Sequence, residues 1–234
     1  MIVEICANSF ESAMAAQSGG ADRIELCTQL AVGGLTPSHH LIKKVVSKLS
    51  IPIHVLIRPR KGNFCYSKEE LNIMKNDIEF CKYLGCSGVV SGVLQSDLTI
   101  DLIAIKQLVE AANGLDFTFH RAFDCVKNPL VSLENLIDLK IKRVLSSGLK
   151  PSAIEGISLL SDMNKMANQQ IEIMPGSGIN LGNVLQFKNK GFTSVHLSAT
   201  QQPEKKSASF FEGGTEGVSD EKTIRKIMSL VSLN

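Results

Sequence analysis

The stretch IPIHVLIRP, residues 51–59, followed at residues 67–85 by SKEELNIMKNDIEFCKYLG, decides the fold. The first run is short and rich in β-branched residues, which suits a strand, and the second is an amphipathic helix. The same beat runs along the whole chain. MIVEICA precedes ESAMAAQSGG, DRIELC precedes SHHLIKKVVSKL, and SGVVSGVL precedes IDLIAIKQLVEAAN. It continues with LDFTFHRAF and PLVSLENLIDLK, KRVLSSG and SAIEGISLLSDMNKMAN, IEIMPGSG and NLGNVLQFKNKG, and TSVHLSAT and DEKTIRKIMSLVSL.

Strands separated by helices must pair in parallel through right-handed crossovers. Eight such units in 234 residues, close to the ~250 typical of the fold, predict an α/β protein that is a single-domain (β/α)8 TIM barrel spanning 1–234. An open doubly wound sheet fits less well, because Gly19, Gly20, Gly33 and Gly34 do not form the G-x-G-x-x-G that opens a dinucleotide-binding helix. No Pro-, Gly- or Ser-rich linker divides the chain. Its longest irregular piece, residues 201–219, QQPEKKSASFFEGGTEGVS, follows the eighth strand and has the length of a functional or disordered loop.

Composition narrows the partners. The chain is 44% hydrophobic and 21% charged, with a net charge of +2 and interspersed signs, so neither nucleic acid nor an anionic membrane surface is an expected partner. The N-terminus lacks the basic and apolar regions of a leader, and no window nears the ~18 apolar residues of a membrane span. A cytoplasmic protein is expected. Six scattered cysteines without a CxxC pair predict free thiols, and Cys81 and Cys86, at the end of a helix, read as packing.

Parity then sorts the strands. Residues two apart share a face, and in a closed barrel one face meets the helices while the other looks inward. Val3 and Ile5 oppose Glu4 and Cys6; Ile24 and Leu26 oppose Arg23, Glu25 and Cys27; Ile53, Val55 and Ile57 oppose His54, Leu56 and Arg58. Phe117 and Phe119 oppose Thr118 and His120, and Val195 and Leu197 oppose His196 and Ser198. The apolar set belongs against the helices. Glu4, Glu25, Arg58, His120 and His196 should therefore converge in the lumen, as a site or as an ion-pair network that fills the barrel. Function in this fold gathers where the strands end, and Cys6, Cys27, Arg58, His120 and Ser198 fall late in theirs. His54 comes early and reads as core.

Three loops add candidates. MPGSGIN places Gly176 and Gly178 before a helix that Asn180 would cap, a backbone cradle for an anion or a plain tight turn. RPRKGNFCY carries Arg58, Arg60, Lys61, Phe64, Cys65 and Tyr66 in one loop, suited to an anionic or aromatic ligand. In FHRAFD, Asp124 is placed to orient Arg121 or His120, or to cap the next turn.

The runs EIC, GADRIELC, GGLTPS, IPIHVLIRPR, FCYS, FHRAFD, NPL, RVLSSG and GSGI, in that order, resemble the CutC family, named for copper homeostasis. The resemblance spans nearly the whole chain. It implies a TIM barrel, a cytoplasmic homo-oligomer with a dimer favoured, and Cu(I) held by thiols that would fall on Cys6 and Cys27. Soft thiolates select Cu(I), and adjacent strands ~4.8 Å apart bring two inward thiols within reach of one ion. The residues also allow an enzyme acting on a small phosphorylated or carboxylated metabolite. Arg58, Gly176, Gly178 and Ser198 would then hold the anion while His120 or His196 exchanges protons with Glu4 or Glu25. A divalent ion on Glu4, Glu25, His120 and His196 is a further option. No inward lysine offers a Schiff base.

Overall fold

The computed structural model describes residues 1–200 and 217–232. Its strands are β1 Ile2–Ala7, β2 Arg23–Leu26, β3 Ile53–Leu56, β4 Gly88–Ser91, β5 Asp116–Phe119, β6 Arg143–Ser146, β7 Glu172–Pro175 and β8 Ser194–Leu197. The helices that follow them are α1 Phe10–Ser18, α2 His39–Val46, α3 Lys68–Leu84, α4 Leu102–Ala111, α5 Pro129–Asp138, α6 Ile157–Ala167, α7 Val184–Asn189 and α8 Glu221–Ser232. The strands run parallel in the order β7-β6-β5-β4-β3-β2-β1-β8, and a parallel bridge between Gly176 and His196 joins the two ends of that order. The chain is a single-domain (β/α)8 barrel.

Local chemistry sets the element ends. At α3 the Ser67 side chain accepts from the Glu70 N–H while Glu70 reaches back to the Ser67 N–H, and Gly85, at φ 81°, closes the helix in the left-handed region. The α7 unit departs from the expected 180–191: its helix is only Val184–Asn189, preceded by Asn183. Asn180 instead closes a turn by accepting from the Gly182 N–H at 2.8 Å, so it is not the helix cap.

The inward and outward parities are those the alternation predicts. Val3, Ile5, Ile24, Val55, Val144 and Val195 pack with helix residues in the main core, whereas Cys6, Cys27, Leu56 and Val90 form a separate small cluster in the lumen. Much of the lumen is charged and paired. Arg143 Nε donates to Glu172 Oε2 at 2.5 Å, its Nη1 donates to Thr118 Oγ1 at 3.0 Å, and Asp116 lies 3.7 Å away. A layer above, Arg23 Nε donates to Glu4 Oε2 at 2.5 Å. His54 stands beside them because β4 offers Gly88: a Cβ there would come within 2.7 Å of the imidazole.

Of the expected 201–219 loop, residues 201–216 lie outside the described residues. The segment returns at Gly217, whose carbonyl accepts from Asn8, and at Ser219, whose N–H donates to Ser12 Oγ at 3.0 Å and whose Oγ donates to the Ser198 carbonyl at 2.9 Å. Among the described residues no helix is long and apolar enough to cross a membrane.

Candidate functional site

A cavity of about 480 Å³ opens at the C-terminal ends of the strands. One side of it is thiol, carboxyl and imidazole. Cys6 Sγ lies 3.4 Å from Cys27 Sγ and 3.8 Å from Glu25 Oε1, and the donor atoms of Cys6, Glu25 and His196 all fall within 4.8 Å of one another. Parallel pairing builds this cluster: Cys6 is in register with Glu25, and Glu4, two residues before Cys6, is in register with His196 on β8.

Beneath it, fully buried Glu4 divides its two oxygens. Oε1 meets His196 Nδ1 at 2.8 Å, and Oε2 takes Arg23, with His54 Nδ1 at 3.7 Å. Burial pushes the Glu4 carboxyl up, but the His196 hydrogen bond and the Arg23 charge outweigh it and hold Glu4 well below the carboxylate range. Burial likewise opposes charge on His196, yet the Glu25 and Cys6 side chains and the Glu4 carboxylate raise its pKa well above an ordinary imidazole. Among the described residues Glu25 has no such partner for Oε2, and burial lifts its carboxyl to about 7 against the His196 charge. The Cys27 contact and burial push the Cys6 thiol well up.

The facing wall is rich in donors, with the Asp124 carboxylate among them. Arg58, 5% exposed, gives Nη1 to the Val32 and Gly34 carbonyls at 2.8 and 2.9 Å and Nη2 to the Gly62 carbonyl at 3.0 Å. Its guanidinium lies 4.9 Å over the Phe64 ring, whose other neighbour, at 4.9 Å between centroids, is His120. His120 Nδ1 accepts from the Ala122 N–H at 3.2 Å, while Nε2 is buried and, among the described residues, without a partner. Burial and the Arg58 charge lower this imidazole to about 3, so it is neutral. Arg121 completes the wall, its Nε on Asp124 Oδ2 at 2.7 Å and its Nη2 on Ser147 Oγ at 2.9 Å.

The sequence pattern of the CutC family matches residues 1–201. The chain belongs to the CutC family. A family protein CutC of Pasteurella multocida is 49% identical over 199 residues, covering 85% of this chain and 82% of that one. Another, of Glaesserella parasuis, is 41% identical over 242 residues and covers all of both. The crystal structure of a CutC protein from Streptococcus agalactiae superposes with a TM-score of 0.80 at 35% identity, over 85% of this chain and 98% of its own.

In this CutC-family barrel Cys6, Glu25, Arg58, His120, His196, Gly178 and Ser198 all line the one cavity. Glu4 lies below it and Cys27 behind Cys6, each a single contact away. Two expectations need correction. Arg58 does not meet Glu4 or Glu25: it projects from beyond the end of β3 and is taken by loop carbonyls, so Arg23 is Glu4's guanidinium partner. Gly176 is not part of an anion cradle, since it pairs with His196 inside the barrel and an added Cβ would meet Leu145 Cδ1 at 2.5 Å. Gly178 stays at the rim at φ +73°, but the helix that would lend it a dipole begins only at Val184.

The sequence alone does not show the placement of Arg121 or the contact of His54 with Glu4. Parity turns His54 inward, but its early place in β3 gives no local sign that Glu4 of β1 lies within reach. Asp124 does hold Arg121, and it also accepts from Ser146 Oγ at 2.6 Å and from the Ser147 and Leu149 N–H groups, which ties the β5 and β6 loops together. The rest of the RPRKGNFCY charge is partly spent: Arg60 pairs with Glu70 at 2.5 Å.

Proposed function

We propose that this CutC-family chain serves copper homeostasis by capturing Cu(I) as cargo, with Cys6 and Cys27 as thiolate donors and His196 as a third. The observation that carries this reading is the Glu4–His196 pair. A carboxylate on Nδ1 fixes the imidazole and leaves Nε2 for the cavity, where Cys6 stands, which is how histidines that hold metals are usually oriented.

The donor chemistry fits. Two thiolates in line across one ion need roughly twice a metal–sulfur bond of about 2.3 Å. At 3.4 Å the sulfurs suit a bent angle instead, which leaves a side open for His196. Thiols, and the charged His196 at Nε2, must lose protons to bind; the Cys6 proton has a receiver in Glu25 Oε1, a carboxyl poised near 7, and the His196 proton leaves as the metal takes its place. Free thiols of this kind persist in a reducing compartment, so the proposal places the chain in the cytoplasm. The homo-oligomer that the family resemblance implies belongs to the same reading, and sedimentation measures it. Cu(I) titration against a chromogenic competitor should show stoichiometric uptake that disappears in Cys6→Ser/Cys27→Ser. Undiminished uptake in that double variant would remove the proposal.

A second reading, an enzyme acting on a small anionic metabolite, is favoured by the opposite wall, where a buried guanidinium and an imidazole N–H have donors to spare.

A further inference from the structure

We infer that the Arg58 wall of the cavity is a binding site for the oxyanion end, carboxylate or phosphate, of a small metabolite. The inference deepens the second reading above and is independent of copper.

Three observations converge on it. Arg58 is buried, yet among the described residues no carboxylate lies within ion-pair distance of it, and its Nε makes no hydrogen bond, the neutral Tyr66 hydroxyl being the side-chain group beside the guanidinium. Carbonyl oxygens take three of its four other N–H groups but bring no net charge, and burying a cation without a counter-ion is strongly unfavourable. A guanidinium that merely clamps loops would need only the carbonyls. Second, His120 accepts at Nδ1 from a backbone N–H, which places the proton of the neutral ring on Nε2. Among the described residues that N–H is a buried donor without an acceptor, and the residue lines the same cavity. Third, the two groups share one support, Phe64, with each 4.9 Å from its ring, and Arg121, fixed by Asp124, adds a second guanidinium to the wall. The Asp124 carboxylate on this wall is taken up by Arg121, Ser146 and Ser147, which leaves the Arg58 and His120 donors calling for an acceptor, and a planar guanidinium fits an oxyanion through parallel N–H bonds.

The site differs from the glycine turn after β7, where barrels often hold phosphate. Here the β3 and β5 ends supply the side chains. Gly33 keeps the approach open, since a Cβ at that position would stand 3.3 Å from Arg58 Nη1.

The test is calorimetric titration of the full chain, at low salt and with a copper chelator present, using inorganic phosphate in one arm and succinate in the other. The chelator separates this result from the copper reading, which can fail or hold on its own titration. Saturable one-site binding of phosphate, succinate or both is expected, and the arm that binds names the source of the oxyanion. Arg58→Gln, which keeps an N–H donor for the loop carbonyls and removes the charge, should weaken that binding about tenfold or more. Equal affinity in Arg58→Gln, or no binding of either anion to the unmodified chain, overturns the inference. Should Arg58→Gln not fold, the ring resonances of His120 in the unmodified chain decide: they shift as the anion is added if the site is real, and their constancy at saturation overturns it.

Discussion

Glu4 and His196 meet across the seam between β1 and β8, with Oε1 2.8 Å from Nδ1, while the second Glu4 oxygen holds Arg23. One carboxylate thus balances two cations in a space without solvent. Replacing it by Glu4→Gln leaves Arg23 and His196 facing each other without their counter-charge. The expected cost is about 3–5 kcal/mol, the usual result of removing one member of a buried pair. If the copper proposal holds, the same variant also loosens Cu(I) by about 10–100-fold, because His196 loses its orienting partner. Urea unfolding and competitor titration read the two effects separately, and a variant as stable as the parent would contradict the first.

The lumen also sets the pH response. Burial lowers His54 to about 4, and burial together with the Arg58 charge lowers His120 to about 3. Both remain neutral in the fold where the unfolded chain gains protons below the ordinary 6.5, so each withdraws stability as pH falls from 6.5 towards its folded value. Glu25 acts in the other direction. Raised to about 7 by burial, it holds a proton that the unfolded chain releases above 4.5, and its contribution grows as pH falls through that window. Two groups against one leave a net loss of about 1 kcal/mol per pH unit between 6.5 and 4.5. Below 4.5 the Glu4 carboxylate, held low by His196 and Arg23 against burial, adds to the fall. Urea midpoints at pH 6.5, 5.5 and 4.5 should show this slope, and His120→Gln should flatten it nearly to zero. An unchanged slope in His120→Gln would refute the assignment.

Arg143 anchors the floor of the barrel, away from the cavity, through Glu172, Thr118 and Asp116. Arg143→Ala should cost about 3–5 kcal/mol by leaving Glu172 without its partner next to an emptied space. Copper uptake per folded molecule should stay at the level of the parent, since no floor residue lines the cavity. Parallel loss of uptake would show that the two layers are coupled.

The fold and the convergence of the polar residues were legible because both are periodic. Alternation in RIEL and SVHL assigns every side chain to a face, and eight strand–helix beats leave few topologies. Pairing was less legible. Whether Glu4 meets Arg23 or Arg58 depends on the stagger of neighbouring strands, and Arg58 sits past the end of β3, where parity no longer controls direction. The glycines misled for a related reason. Gly176 and Gly178 look alike in the sequence, yet Gly176 is required by Leu145 and His196 packed against it, a tertiary contact without a local signal.

Gly92, just past β4, tests how firmly His120 is held. A Cβ there would stand 2.6 Å from His120 Nδ1 and 3.2 Å from Phe119 Cζ. The backbone at Gly92 is not in the left-handed region, so alanine meets a packing penalty and no conformational one. His120 has little freedom to yield, because Nδ1 is engaged by the Ala122 N–H and Phe64 covers the ring. Gly92→Ala should therefore destabilise by about 1–3 kcal/mol, as overpacking of a closed interior does. It should also weaken anion binding by displacing the Nε2 donor. Gly114→Ala is the control: φ is +93° but nothing lies within 4 Å of the added carbon, so only the strain of the left-handed backbone is felt, about 1 kcal/mol. If Gly92→Ala unfolds no earlier than the parent and binds the anion as well, the imidazole moves aside without cost, and His120 is not the fixed donor that the cavity wall requires.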